Sequence, residues 1–300
     1  METLVVGSVA YDAVKTPHGA VDRMLGGSAT YFALAASYFA PVRVVGVVGE
    51  DFSDDDLAVF HRRGVCTAGL ERAPGKTFFW AGEYSPDMND RRTLDTQLNV
   101  FADFQPKIPE AYRGTPFLFL GNIDPGLQRS VQEQMNGPEF VAGDTMNFWI
   151  ERRREALAET LRGLHTLVIN DAEARMLSGG YNLIAAARKI QEMGPPTVVI
   201  KRGEYGALLF SGSRVFCAPG FLLEQVHDPT GAGDSFAGGF VGALAECGAA
   251  DDAALRRAMI YGSVMGSFTV ERFGVERLRG LTRAEIDARY RAFRDLTSFD

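Results

Sequence analysis

The chain has 300 residues, 46% of them hydrophobic and 23% charged, with a formal net charge of −7. This length and composition suit one large soluble α/β domain with a substantial core. The acidic balance disfavours nucleic acid and anionic membrane surfaces as partners, though a small anion can still bind where positive charge is local.

In chain order, "LVVGSV" near the N-terminus reads as a first strand and lacks the basic stretch of a signal peptide. "SATYFALAASYF" has helical composition, "VRVVGVVG" is a second strand, and "DDDLAVFHRRG" is a helix with a glycine stop, its acids starting the helix. Residues 76–104 break the rhythm. "KTFFWAGEY" and "RTLDTQLNVF" alternate as half-exposed strands do, with the turn-rich "SPDMNDR" between them. They predict a β-hairpin standing off the main sheet, with residues 13–25 adding strand to it. The alternating β-branched runs "PFLFLG", "EFVAG", "LHTLVIN", "PTVVIK" and "GALLF" follow, with amphipathic stretches such as "NLIAAARKIQEMG" between some of them. Near-continuous apolar strands imply a sheet covered on both faces. The β–α alternation implies a doubly wound, mainly parallel sheet flanked by helices. The expectation is one α/β domain over 1–300 with a small β lid from about 13–25 and 76–104. Cys66, Cys217 and Cys247 form no CxxC, which fits reduced thiols in the cytoplasm. No run of 18 apolar residues predicts a membrane span.

The chemistry concentrates in "HDPTGAGDSFAGGF", residues 227–240. Placed before a helix from Asp234 to Cys247, the Gly231-Ala232-Gly233 loop offers unpaired amides at a positive dipole end, a cradle for an anion. Asp234 beside that cradle is either a helix-start acid or a base that takes the proton of an attacking hydroxyl. Chemistry alone leaves the two equally open. No GK[ST] follows, so this is not a Walker A loop, and GxGxxG also fails.

The segment "DPTGAGDSFAGGF" resembles the C-terminal signature of the ribokinase-like, or PfkB, family of carbohydrate kinases, and the resemblance extends over nearly the whole chain. "GSVAYD" resembles the family's first strand and its substrate-binding acid at Asp12, and "LGGSATYFALAA" resembles the Gly-Gly segment at Gly26 and Gly27. "VVGVVGEDF" resembles the strand and turn that follow. "NDAEA" resembles the Asn-x-x-Glu motif, at Asn170 and Glu173. "VVIKRGEYGALL" resembles the nucleotide-phosphate segment, with Lys201 and Gly203 near the phosphates. "SVMGSFTVERFG" resembles the segment bordering the adenine, and Gly274 at its end is expected to touch the cofactor.

The resemblance implies a kinase that uses ATP and Mg²⁺, with Asp234 as general base and the Gly231, Ala232 and Gly233 amides as anion hole. It implies that Asn170 and Glu173 act on the metal through water, and that the hairpin at 76–104 is a substrate lid. Whether a monovalent cation assists the glycine loop stays open. The acceptor is expected to be a small sugar or polyol phosphorylated at a hydroxyl, a primary alcohol first. A nucleoside is the alternative, and a non-catalytic sensor the reading from another class.

Taken alone, several of these residues have plainer readings. Asp12 caps a turn, Asn170 or Asp171 caps a helix with Glu173 in its first turn, and Lys201 ends a strand. Asn122, with Asn99, Asp144 and Asn147, lies near an expected strand end, where acceptor hydroxyls collect in such sheets. Phe78 and Trp80 alternate with Phe79, so one lid face would stack on a sugar ring or base. Burial in a lid-to-lid homodimer explains the same pattern equally well. His227 reads as a satisfied or solvated histidine. Where many family members carry Asn at the sixth position of the Gly-Gly segment, this chain has Tyr31, which implies a reshaped acceptor pocket.

Overall fold

The computed structural model describes residues 1–298. Thirteen strands divide between two sheets: β1 (Thr3–Val6), β2 (Ala10–Thr16), β3 (Gly19–Gly26), β4 (Val42–Val48), β5 (Cys66–Arg72), β6 (Phe78–Tyr84), β7 (Arg91–Gln97), β8 (Phe117–Leu120), β9 (Phe140–Gly143), β10 (Thr166–Asn170), β11 (Thr197–Lys201), β12 (Ala207–Ser211) and β13 (Arg214–Ala218). The main sheet runs β13-β12-β11-β10-β9-β8-β1-β4-β5. Its pairs are parallel from β5 across to β11, and β12 and β13 close that end antiparallel.

Both faces of this sheet are buried, and the two-residue strand period sorts side chains between two cores. On β1, Val5 faces one core while Leu4 and Val6 face the other; on β8, Phe117 and Phe119 oppose Leu118 and Leu120 in the same way. The first core lies under the helices Ser28–Ala36, Ala232–Cys247 and Asp252–Thr269, and the second under Pro125–Gln134, Arg154–Leu161 and Leu183–Gln191.

Chain order reverses between β1 and β8, the kind of switch point at which doubly wound sheets open a ligand cleft. The helix Ser28–Ala36 starts there, and the Ser28 hydroxyl bonds the Ser8 amide at 3.2 Å.

The second sheet has the order β3-β2-β6-β7. β2 carries both parts together: it pairs antiparallel with β3 and parallel with β6. Residues 98–104 do not extend β7 as their alternation suggests. Asn99–Asp103 turns into a short 3-10 helix, and Phe101 stacks on Phe78 at 5.2 Å, which anchors the base of this sheet. No helix of the described residues is long and apolar enough to cross a membrane.

Candidate active site

The glycine-rich segment forms the start of the helix Ala232–Cys247. Gly231 is its N-cap, with φ 73, a left-handed conformation that L side chains rarely adopt. Ser235 bonds back to the Gly231 carbonyl at 2.8 Å and Ala232 to the Pro229 carbonyl at 3.2 Å. The Ala232 amide, expected in the anion hole, is therefore engaged within the turn. The Gly231 and Gly233 amides have no acceptor among the described residues and remain for a ligand. The later glycines do something else. A β-carbon at Gly238 would come 2.4 Å from the Phe32 carbonyl oxygen, so that position lets two helices touch. The glycine density thus serves two purposes, a loop cradle and a helix contact.

Strand ends deliver the charged groups. Lys201 closes β11, and its ammonium is the atom nearest to where a Gly233 side chain would start, at 2.9 Å. It pairs with Asp144 just beyond β9 at 3.4 Å, both largely buried. Burial alone would lower the Lys201 pKa, but Asp144, Glu173 and Asp234 reverse this and raise it. Asp234 lies in the first turn of the glycine-loop helix. Burial and then the Asp144 charge push it up to about 7, against the pull of Lys201 and Arg91.

Asn170 and Glu173 form a reciprocal capping box. The Asn170 Oδ1 accepts from the Glu173 amide and the Glu173 Oε2 accepts from the Asn170 amide, both at 2.8 Å. The plainer reading of these residues holds at that level. Only Oε2 of Glu173 is so engaged, however, and burial together with Asp144 raises this carboxyl to about 7.

Asp12 sits on β2 within the second sheet, only 5% exposed. Burial and then Asp228 raise it to about 7, while the Gly27 amide pulls it down. Gly26 is required there: a β-carbon would meet the Asp12 carboxylate at 2.0 Å. Across the strand pair, Asp12 is the register partner of Trp80 on β6.

Five further residues make contacts that the sequence does not announce. Gly274, expected at the cofactor, donates its amide to Asp228 Oδ2 at 3.0 Å, and its Cα lies beside Met24 of β3. Asn122 spends its side-chain oxygen on the Trp149 indole at 2.9 Å, so only its amide nitrogen remains for a ligand. Asn99 donates to the Thr77 carbonyl at 2.9 Å and belongs to the base of the small sheet. His227 is half-buried: its Nδ1 is buried without a hydrogen-bond partner, and its ring tilts against His18 at 5.2 Å. Gly203 lies at the tip of the other sheet's turn, beside Asn89, at 3.6 Å from its would-be β-carbon.

Asp228 is wholly buried. Its Oδ1 also accepts from the Thr230 amide at 2.9 Å, so it pins the glycine loop to the 274 segment. Tyr31 is 1% exposed, and its hydroxyl has no partner. Burial first, then Asp12, Asp228, Tyr84 and Asp234 raise its pKa.

Two residues escaped sequence reasoning. Tyr84 ends β6, and its hydroxyl meets Thr230 Oγ1 at 3.2 Å. Arg91, its register partner on β7, lies over the Trp80 ring at 5.0 Å. The only sequence signal was an Arg-Arg pair opening a lid strand.

A doubly wound sheet whose cleft joins a glycine-loop helix start, a strand-end lysine and carboxylates raised to near neutrality suits transfer of an anionic group to a hydroxyl. The comparisons agree. The pfkB family carbohydrate kinase profile matches residues 2–278, and the chain belongs to that family. It is thus an ATP-dependent phosphotransferase with an alcohol acceptor. It is 30% identical over 245 residues to a cytidine kinase of Thermococcus kodakarensis, covering 80% of this chain and 87% of that one. Among solved structures it is similar to a ribokinase of Thermotoga maritima (TM-score 0.77, 23% identity, 96% and 99% of the two chains). It is equally similar to a Burkholderia thailandensis nucleoside kinase in complex with inosine (TM-score 0.77, 22% identity, 97% and 98% covered).

Proposed function

We propose that the chain phosphorylates a hydroxyl of a nucleoside, with Asp234 as base and the Gly231 and Gly233 amides cradling the phosphoryl group. The observation that carries this is the adjacency of Asp12 and Trp80 in register on the small sheet. A carboxylate that accepts from two vicinal ribose hydroxyls stands beside an aromatic ring suited to a base. Similarity to a cytidine kinase and to an inosine-binding nucleoside kinase supports the same acceptor class. The second reading, a free sugar or polyol, is favoured by the ribokinase likeness and uses the same carboxylate.

In this reading the acceptor oxygen forms a bond to the γ-phosphorus, the bond from that phosphorus to the β–γ bridging oxygen breaks, and the hydroxyl proton passes to Asp234. Lys201 stabilises the charge on the phosphates from beside the helix start. The small sheet is the lid that excludes water over the acceptor.

The residues also fit a magnesium ion. Magnesium keeps much of its water and needs few protein carboxylates. The described residues hold no cluster of three or more metal-type ligands, while Glu173 offers a carboxylate oxygen outside its capping bond, with Asn170 beside it. The ion would supply charge neutralisation on the transferring phosphates.

An ADP-release assay across nucleosides, pentoses, hexoses and polyols tests the reading. Release with a nucleoside at the lowest KM is expected, and Asp234→Asn should abolish it while ATP still binds. A sugar preferred over every nucleoside replaces the first acceptor with the second. Undiminished turnover by Asp234→Asn removes the base assignment.

A further inference from the structure

We propose that Arg91 is a lid-borne catalytic residue whose guanidinium contacts the transferring phosphoryl group when the lid is closed. This rests on the kinase reading above and adds to it a residue that enters from the lid rather than from the main sheet.

Arg91 and Arg92 open β7 side by side and, by strand alternation, face opposite sides of the small sheet. On the outer side Arg92 is answered by Glu83 at 2.6 Å, and Lys15 meets the same Glu83 at 2.8 Å. On the inner side Arg91 has no carboxylate within ion-pair distance among the described residues. Instead it lies over the Trp80 ring at 5.0 Å, and Trp80 is the register partner of Asp12. Its own register partner, Tyr84, bonds Thr230 Oγ1 in the segment leading into the glycine loop. Two separate links therefore hold Arg91 over the cleft, one from the acceptor carboxylate and one from the anion cradle.

The lid tip is also closed on the nucleotide side. Asn89, two residues before Arg91, reaches Glu204 at 3.5 Å and lies beside Gly203 in the phosphate segment. The turn thus bridges the acceptor half and the nucleotide half of the cleft. The charge of Arg91 lowers the pKa of Asp12, of Asp234 and of Glu173. These three carboxylates mark the acceptor, the proton path and the metal side of one reaction. The Arg91 charge reaches all three, and Arg91 itself is exposed to solvent, open to an anion brought by the substrates. Charge spreads over the phosphoryl oxygens in such a transfer, and a planar guanidinium donates two parallel hydrogen bonds to them. An unpaired arginine among excess carboxylates is ready for an anion brought by the substrates.

The same guanidinium chemistry would suit a phosphate or carboxylate carried on the acceptor. Two arms separate these sources. In the first, Mg·ADP and Mg·ADP with aluminium fluoride, a mimic of the transferring phosphoryl group, are titrated calorimetrically into wild type, Arg91→Ala and Arg91→Lys, with cytidine as acceptor probe. All three proteins should bind Mg·ADP alike. The fluoride complex should bind Arg91→Ala at least tenfold more weakly than wild type, with partial recovery in Arg91→Lys. In the second arm, turnover with cytidine should fall in Arg91→Ala through kcat with little change in acceptor KM. Equal binding of the fluoride complex by wild type and Arg91→Ala overturns the inference and leaves the kinase reading standing. So does a defect confined to the KM of phosphorylated acceptors. A wild type that binds no Mg·ADP removes the kinase reading, and this inference with it.

Discussion

The Tyr31 ring lies directly against the Cα of Gly231: a β-carbon at Gly231 would stand 2.3 Å from Tyr31 Cγ and 2.4 Å from both Cδ atoms. Tyr31 thus braces the loop proposed to cradle the phosphoryl group. Gly231→Ala should fail on two counts, the overlap with this ring and the left-handed φ. Loss of turnover by at least ~100-fold with a lowered melting temperature is expected.

Tyr31→Phe keeps the brace and removes only a hydroxyl that is buried and unpartnered. An unsatisfied buried hydroxyl costs about 1–3 kcal/mol, so the empty variant should melt higher than wild type. If the hydroxyl waits for the acceptor, the acceptor KM should rise about tenfold with kcat little changed. Thermal melts and steady-state kinetics check the pair. A variant no more stable than wild type would show that the phenol has a partner already.

Activity should fall on the acid side. Asp234 must be ionised to accept a proton, and its pKa in the empty site is about 7. The kcat/KM profile reports the free protein, so it should rise with pH through about 7 and level off above. Asp12 and Glu173 also stand at about 7 and share the cleft, so the acid limb should be steeper than one proton allows. Lys201 holds Asp234 down. Lys201→Gln should therefore shift the limb to higher pH, besides lowering its plateau. An acid limb that stays in place would exclude Lys201 from the control of the base.

The same carboxylates set a stability penalty with a definite sign. The Asp12 carboxyl goes from 3.8 in a free chain to about 7 in the fold, so the native state binds its proton more tightly. Its contribution is fully present below about pH 4 and is lost as pH rises through about 7. At 1.36 kcal/mol per unit, the loss for this buried group is about 4 kcal/mol. The empty protein should melt lower at pH 8 than at pH 5.5, and Asp12→Asn should flatten that slope. Differential scanning at the two pH values decides it, and a wild-type melting point that rises towards pH 8 would contradict the assignment.

How much of this was readable in the sequence depends on the range of the interaction. Strands buried on both faces announce themselves as apolar runs, so β1, β4, β8 and β11 were legible. β5 and β13 were not singled out: they lie at the two edges of the main sheet, with largely exposed or half-buried residues and no apolar run. Asp234 and the glycine loop were legible because the local spacing carries the chemistry. The structure nonetheless reassigns part of that glycine density, Gly238, to a helix contact set by Phe32 on another element. Arg91 has no local signature beyond the Arg-Arg pair that opens its strand. Its place in the cleft comes from the register of β6 against β2 and of β7 against β6, pairings between distant segments. The amide bond of Gly274 was not legible for the same reason: its partner, Asp228, is 46 residues away.

That long-range bond carries the last prediction. Asp228 accepts from the Thr230 amide with one oxygen and from the Gly274 amide with the other, with no exposure to water. Burial raises its pKa while these amides pull it back. Asp228→Ala strands two buried donors, at about 1–3 kcal/mol each, and frees the entry to the glycine loop. Asp228→Asn preserves the shape and one acceptor but turns an NH₂ towards the second donor. Both variants should lose stability, alanine more than asparagine. Because Thr230 also bonds Tyr84 of β6, both should loosen the lid from the loop. Amide hydrogen exchange should therefore quicken at 84–91 as well as at 228–233. Faster exchange confined to 228–233 would show that the lid is held by other contacts than the Tyr84–Thr230 bond.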